Sequence, residues 1–156
     1  MRDPRQSLSE SYAAVPASLV RARRAVAALA VEAGATRDQF DAIQLAASEA
    51  LTNVIVHAYG DRPGEIHVTA AVAGGELWLL VADDGDGLSQ RGRKSGLGLG
   101  LTLIAQACDE LTIVKRSHGG TELRMRFRVG ASADDHVWGS VSSDNSPAPS
   151  VFSTTR

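Results

Sequence analysis

The chain has 156 residues, 44% of them hydrophobic and 22% charged, with a net charge of −2 at pH 7. That suits one globular domain, large enough to bury about two-thirds of its unfolded surface. So balanced a charge leaves no electrostatic footprint for nucleic acid. No stretch approaches the ~20 apolar residues of a membrane span, and the opening MRDPRQSLSESY lacks the apolar segment of a secretory signal. A cytoplasmic protein with neither nucleic acid nor membrane as a direct partner is the expectation. The one cysteine, Cys108, lies in an apolar-periodic run and reads as buried and inert.

Residues 1–8 read as a loose N-terminus, and Ser9 to Val15 as a short strand with Tyr12 and Val15 facing the core. Pro16 suits the first turn of a helix that reaches about Ala33 and is stopped by Gly34. Leu19, Ala22, Val26 and Leu29 form its inner stripe. Arg21 and Arg24 fall on the opposite side, either simply solvated or forming a docking surface for an acidic partner.

A second, longer helix follows from Thr36 to Tyr59. Thr36 with Gln39 three residues on fits a capping box, and Asp38 favours the helix's positive start. Phe40, Ile43, Ala47, Leu51, Val54 and Ala58 recur at three- and four-residue steps and make an apolar stripe. Glu49 and Asn53, at i and i+4, project from one face about a turn apart. Such a pair is most often a solvated helix face. It is also half a site for a hard cation such as Mg²⁺, with Glu49 placed for base chemistry.

Tyr59 to Gly64 is turn chemistry. Glu65 to Ala73 and Glu76 to Ala82 read as strands joined at Gly74-Gly75, a short hairpin signal. The second strand runs into Asp83-Asp84-Gly85-Asp86-Gly87. A basic segment, Leu88 to Ser95, leads to Gly96-Leu97-Gly98-Leu99-Gly100, which opens a helix to about Ala107. Glu110 to Lys115 and Thr121 to Val129 are two further strands around Ser117 to Gly120. In the last strand Leu123, Met125, Phe127 and Val129 alternate with Arg124, Arg126 and Arg128, giving one buried and one wet face. Beyond Gly130 the composition turns to Ser, Asp and Pro. Residues 130–156 read as a disordered tail with Val137-Trp138 as its anchor. The order β-α-α-β-β-α-β-β over one domain, residues 9–129, predicts an α+β two-layer sandwich with a mixed, mostly antiparallel sheet.

Two phosphate loops are excluded by register. Gly87 to Ser95 nearly matches a P-loop, but its lysine comes one residue late. Gly96-Leu-Gly98-Leu-Gly100-Leu101 carries leucine where the dinucleotide fingerprint needs its third glycine, and no strand feeds directly into it.

What remains is an ordered set: Glu49 and Asn53 on a helix, Asp83-x-Gly85-x-Gly87 after a strand, and Gly96-x-Gly98-x-Gly100 opening a helix. This set resembles the nucleotide-binding boxes of the GHKL ATPase superfamily, with its Bergerat-type ATP-binding fold. Glu49-Ala-Leu-Thr-Asn53-Val-Ile-Val-His57-Ala58-Tyr59, with Gly119-Gly120-Thr121 near the end, is similar to the anti-sigma-factor serine kinases of the RsbW type. The resemblance covers about Tyr12 to Val129 and implies ATP and Mg²⁺ as cofactors. It also implies Asp83 reading the adenine amine, Asn53 supplying an oxygen to Mg²⁺, Glu49 as the base, and Gly85, Gly87, Gly96, Gly98, Gly100 and Thr121 lining the nucleotide. Glycines allow close backbone approach, and free N–H groups at a helix start suit phosphate. His57 fits a pocket residue or a structural histidine equally. The partners implied are a sigma factor and a STAS-type anti-anti-sigma protein that is phosphorylated, with Arg21 and Arg24 as the partner-facing pair and a homodimer allowed. The competing expectation is an ATP-binding regulatory module that transfers no phosphate.

Overall fold

The computed structural model describes residues 7–86 and 97–131. Gly87, the 88–95 segment, Gly96 and the 132–156 tail, with Val137 and Trp138, lie outside the described residues. The elements in chain order are β1 (Ser7–Ala13), α1 (Pro16–Glu32), α2 (Arg37–Asn53), β2 (Glu65–Ala73), β3 (Glu76–Asp83), α3 (Leu97–Ala107), β4 (Glu110–Lys115) and β5 (Thr121–Arg128). They form an α+β sandwich of one sheet covered on one face by the helices.

The sheet order is β1-β2-β3-β5-β4, and every neighbouring pair is antiparallel. The expectation of a mixed sheet is therefore corrected to an antiparallel one. After α3 the chain returns to the far edge as β4, which runs parallel to β3 but does not touch it. β5 then folds back into the gap between them. The β2–β3 hairpin turns on Gly74 and Gly75, at φ +59° and +75°. Both are left-handed values that glycine adopts without penalty, as a tight two-residue hairpin needs.

The periodic positions meet in one core. Ile66, Val68, Leu77, Leu79, Val81, Leu123, Met125 and Phe127 from the sheet pack against Ala22, Val26 and Leu29 of α1, Ile43, Ala47 and Leu51 of α2, and Ile104 of α3. Each fully buried Leu, Ile or Phe stabilises the fold by roughly 1.5–3 kcal/mol. The alternation in β5 is as expected, with Arg124 and Arg128 on the wet face and Arg126 bridging Glu76 and Glu110 there. Cys108 is buried and free, and burial pushes its thiol pKa up.

Three local expectations change. Ser7 and Leu8 belong to β1, paired with Ala71 and Ala70, rather than to a loose terminus. Val15 is 45% exposed, because β1 ends at Ala13 and Val15 is the extended residue that caps α1. The long helix is α-helical only to Asn53, and Val54–Ala58 is a π-helical turn. π-turns are uncommon and recur at functional sites.

The capping box of α2 forms as its sequence predicts: Gln39 N–H donates to Thr36 Oγ1, and Thr36 N–H donates to Gln39 Oε1. The Gln39 carboxamide also holds the chain where it leaves the sheet, since Gly130 N–H donates to its oxygen and its nitrogen donates to Gly130 O.

Candidate functional site

The site begins on the side of α2 that faces α3. A Cβ on Gly100 would lie 3.2 Å from both Asn53 Oδ1 and Glu49 Oε2. The i, i+4 spacing thus brings both side chains to one point, and a glycine in α3 leaves room for them. Gly98 and Gly100 lie within the first turn of α3. Gly98 contributes one of the free N–H groups that a helix carries at its start. The role of Gly100 is space. Asn53 Nδ2 is buried with no hydrogen-bond partner among the described residues. An amide left so costs about 1–3 kcal/mol, and it marks where a polar ligand would be accepted.

Asp83 ends β3 and is only 5% exposed. Its carboxylate accepts the Gly85 N–H at 2.9 Å and the backbone N–H of Thr121. Burial raises its pKa, and the neighbouring Asp84 charge adds to the rise, while the two backbone donors and Arg116 oppose it. A small cavity of about 20 Å³ is lined by Asn53, His57, Asp83 and Thr121, together with Ala50, Val54 and Ala58. Helix α2, the end of β3 and the start of β5 therefore converge there, joining residues far apart in sequence.

Close backbone packing shapes this end of the sheet. A Cβ on Gly85 would lie 2.0 Å from Ala58 O, at the close of the π-turn, and the same carbonyl accepts the Asp86 N–H at 2.9 Å. Gly120, at φ +90°, would place a Cβ 1.9 Å from Asp83 O. Tyr59 is buried; its hydroxyl donates to Glu65 O at 2.6 Å and accepts from Asp84 N–H at 2.9 Å. The π-turn, Tyr59 and Gly120 are structural supports of the site that sequence periodicity does not reveal. Gly64 is packed as closely, since a Cβ there would meet the Tyr59 ring at 2.3 Å.

Other predicted residues lie elsewhere. Gly87 and Gly96 are outside the described residues. Arg21 and Arg24 are exposed on α1, away from this cavity, and the Arg21 guanidinium sits 5.7 Å from the centre of the Tyr12 ring. A larger cleft of about 690 Å³ lies at the opposite end of α2, against Asp38, Gln39, Asp109, Phe127 and Arg128. None of the predicted residues lines it. Among the described residues no three His, Cys, Asp or Glu side chains gather as a metal site, and no helix is long and apolar enough to cross a membrane.

Residues 12–127 match the family described as histidine kinase-like ATPase domain. The chain belongs to the histidine kinase-like ATPases. That match spans every element that carries the site, from Tyr12 in β1 to Phe127 in β5. Within this ATPase family the chain is similar to the anti-sigma F factor of Thermoanaerobacter sp. (strain X514), at 31% identity over 121 residues, covering 70% of this chain and 85% of the relative. It is also similar to the anti-sigma F factor of Clostridium kluyveri, at 30% identity over 116 residues, covering 67% of this chain and 82% of that one. Among solved structures it aligns with the histidine kinase domain of the E. coli osmosensor EnvZ, at 17% identity and a TM-score of 0.44, over 100% of this chain and 98% of the other.

Proposed function

We propose that this ATPase-family chain is an ATP-dependent serine kinase and a cytoplasmic anti-sigma factor, which sequesters a sigma factor and phosphorylates a STAS-type anti-anti-sigma protein. The observation that carries this reading is that Asn53, which meets Glu49 beside Gly100, also lines one cavity with Asp83 and Thr121. Relatives named anti-sigma F factor support the regulatory role.

The division of labour follows from each side chain's surroundings. Asp83 is held at the end of a buried strand with its carboxylate fixed by two backbone donors, so it presents an acceptor for the exocyclic amine of adenine. Glycine at 85 and 120 lets the backbone close around it. The start of α3, with Gly98, offers N–H groups and a positive dipole end to the phosphates. Asn53 fits Mg²⁺ through its Oδ1, which lies with Glu49 Oε2 beside Gly100, because a hard cation takes oxygen ligands. When bound, the ion supplies charge neutralisation for phosphoryl transfer. Glu49 is the base for the acceptor hydroxyl, a role supported by its place beside Asn53 and Gly100.

Asp83→Asn tests the adenine assignment. Presenting an amide nitrogen where an acceptor is needed leaves the site mispaired and should weaken ATP binding by about 1–3 kcal/mol in isothermal titration. Wild-type affinity should also fall on acidification at a pH above the ordinary carboxylate range. The raised pKa of Asp83 means that it gains a proton early, and a protonated carboxyl no longer accepts. Unchanged affinity in the variant would remove Asp83 from the base site.

Arg21 and Arg24 are the proposed partner-facing pair. Arg24 is exposed, and replacing it should change stability by less than about 0.5 kcal/mol. Arg21 stacks on Tyr12, so its loss should cost up to about 1 kcal/mol. The double variant Arg21→Ala with Arg24→Ala should keep ATP binding yet bind sigma factor or STAS protein at least about tenfold more weakly, since arginine is a common interface anchor. That deficit should shrink with added salt. Full partner retention in a pull-down would return both arginines to the solvated surface.

A further inference from the structure

Arg116 and Asp84 do nothing in the mechanism above, yet they sit directly behind Asp83. Arg116 lies in the turn between β4 and β5. Its Nη1 donates to the backbone oxygen of Asp83 at 3.1 Å and to Asp84 Oδ1 at 2.5 Å. The same turn is closed on itself, with Arg116 N–H donating to Gly120 O at 3.1 Å and Gly119 N–H to Arg116 O at 3.2 Å. Gly120 then packs against Asp83 O, and Thr121 donates its N–H to the Asp83 carboxylate. On the far side of Asp84, His67 Nε2 lies 2.5 Å from Oδ2, and His67 Nδ1 lies 2.8 Å from Ser11 Oγ. In the neutral imidazole, Nε2 donates to the carboxylate and Nδ1 accepts from the hydroxyl.

Asp84 is thus held between a guanidinium from one hairpin and an imidazole from β2. Asp83 is bonded through its own carbonyl to that same guanidinium. The geometry points to Arg116 as a positioning residue for base recognition: it locks the Asp83–Asp84 backbone to the β4–β5 turn, so that the Asp83 carboxylate is presented at one fixed angle to the purine. The inference rests on the reading of Asp83 as the residue that recognises adenine.

Two features separate this arrangement from an ordinary surface ion pair. The contact reaches the main chain of Asp83 as well as a side chain, so losing it loosens a peptide unit, which then keeps only the Tyr59 hydroxyl on its N–H, and not only a charge. The guanidinium also places positive charge beside two adjacent carboxylates, of which one must stay ionised to accept from the exocyclic amine. A lysine would keep the charge, but on a shorter side chain without the planar guanidinium that sets Nη1 against both acceptors.

The test compares ATP with inosine triphosphate, whose base carries an oxygen where adenine carries its amine. Titration calorimetry on the full chain should find wild type preferring ATP by about ten- to hundredfold, the discrimination that one mispaired polar group brings. Asp83→Asn should abolish that preference. Arg116→Ala should lower it at least about fivefold with inosine triphosphate affinity nearly unchanged, and Arg116→Lys should restore part of it. Arg116→Ala added to Asp83→Asn should change the preference no further, as expected for two residues acting through one contact. If Arg116→Ala does not fold, as judged by circular dichroism, Arg116→Gln, which removes the guanidinium and its charge, decides by the same criterion. A wild-type ratio in the Arg116 variants, with the ratio lost in Asp83→Asn, overturns the positioning role and spares the adenine assignment. A wild-type ratio in Asp83→Asn itself overturns both.

Discussion

Gly120→Ala is expected to destabilise the protein by at least about 3 kcal/mol, a loss on the order of 10 °C in melting temperature for a domain of this size. Two costs add. Gly120 holds φ +90°, a left-handed value that an alanine adopts with strain, and the new Cβ would lie 1.9 Å from Asp83 O. That oxygen is main chain and cannot rotate away, so the β4–β5 turn must separate from the end of β3. Separation would also withdraw the Thr121 N–H from the Asp83 carboxylate, and ATP affinity should fall together with stability. Gly34, also at positive φ but with nothing within 4 Å of a Cβ, supplies the control: alanine there should pay only the backbone strain. Thermal unfolding followed by circular dichroism, with Gly120→Ala losing no more than Gly34→Ala to within about 2 °C, would show that the contact is not rigid.

The second large effect is on chemistry. Glu49→Gln should lower phosphoryl transfer by about 10²-fold or more while leaving nucleotide affinity roughly intact, because a positioned base contributes to the transition state and not to binding. Glutamine has the same shape, so the close approach of Gly100 is preserved and a folding defect is not expected. Single-turnover transfer of labelled phosphate from ATP to a STAS-type protein, measured beside calorimetric ATP binding, gives both numbers. A near-wild-type rate would remove Glu49 from the role of base. If wild type itself transfers to no STAS protein while still binding ATP, the chain is a regulatory module that works by binding alone.

The parts of this molecule that were legible in its amino-acid order are those decided within a few residues. Thr36 and Gln39 cap α2 because the donor and acceptor they exchange are three residues apart. Leu123, Met125 and Phe127 face inward because side chains on a strand alternate, whatever the strand pairs with. Gly74-Gly75 turns the β2–β3 hairpin by its own backbone freedom. Glu49 and Asn53 share a face because helix pitch puts i and i+4 together, so half of the candidate site could be drawn before any fold was known.

The other half depended on tertiary contacts between distant segments. That β5 lies between β3 and β4, making the sheet antiparallel throughout, is a matter of which strand fills a gap, and no local period encodes it. Asp83 and Thr121 meet only because of that insertion. Gly85 reads in the sequence as a glycine that lets the backbone approach a nucleotide and Gly120 as a turn glycine, whereas their constraint is a carbonyl from another element about 2 Å from where a Cβ would stand, Ala58 O in one case and Asp83 O in the other. The π-turn after Asn53 carries the same apolar spacing as the helix before it, so pattern alone extends α2 through it. No local pattern singles out Arg116 or His67; only the fold brings both to Asp84. Periodicity reports which way a side chain points relative to its own element. Which carbonyl or carboxylate waits there is settled only when the elements pack.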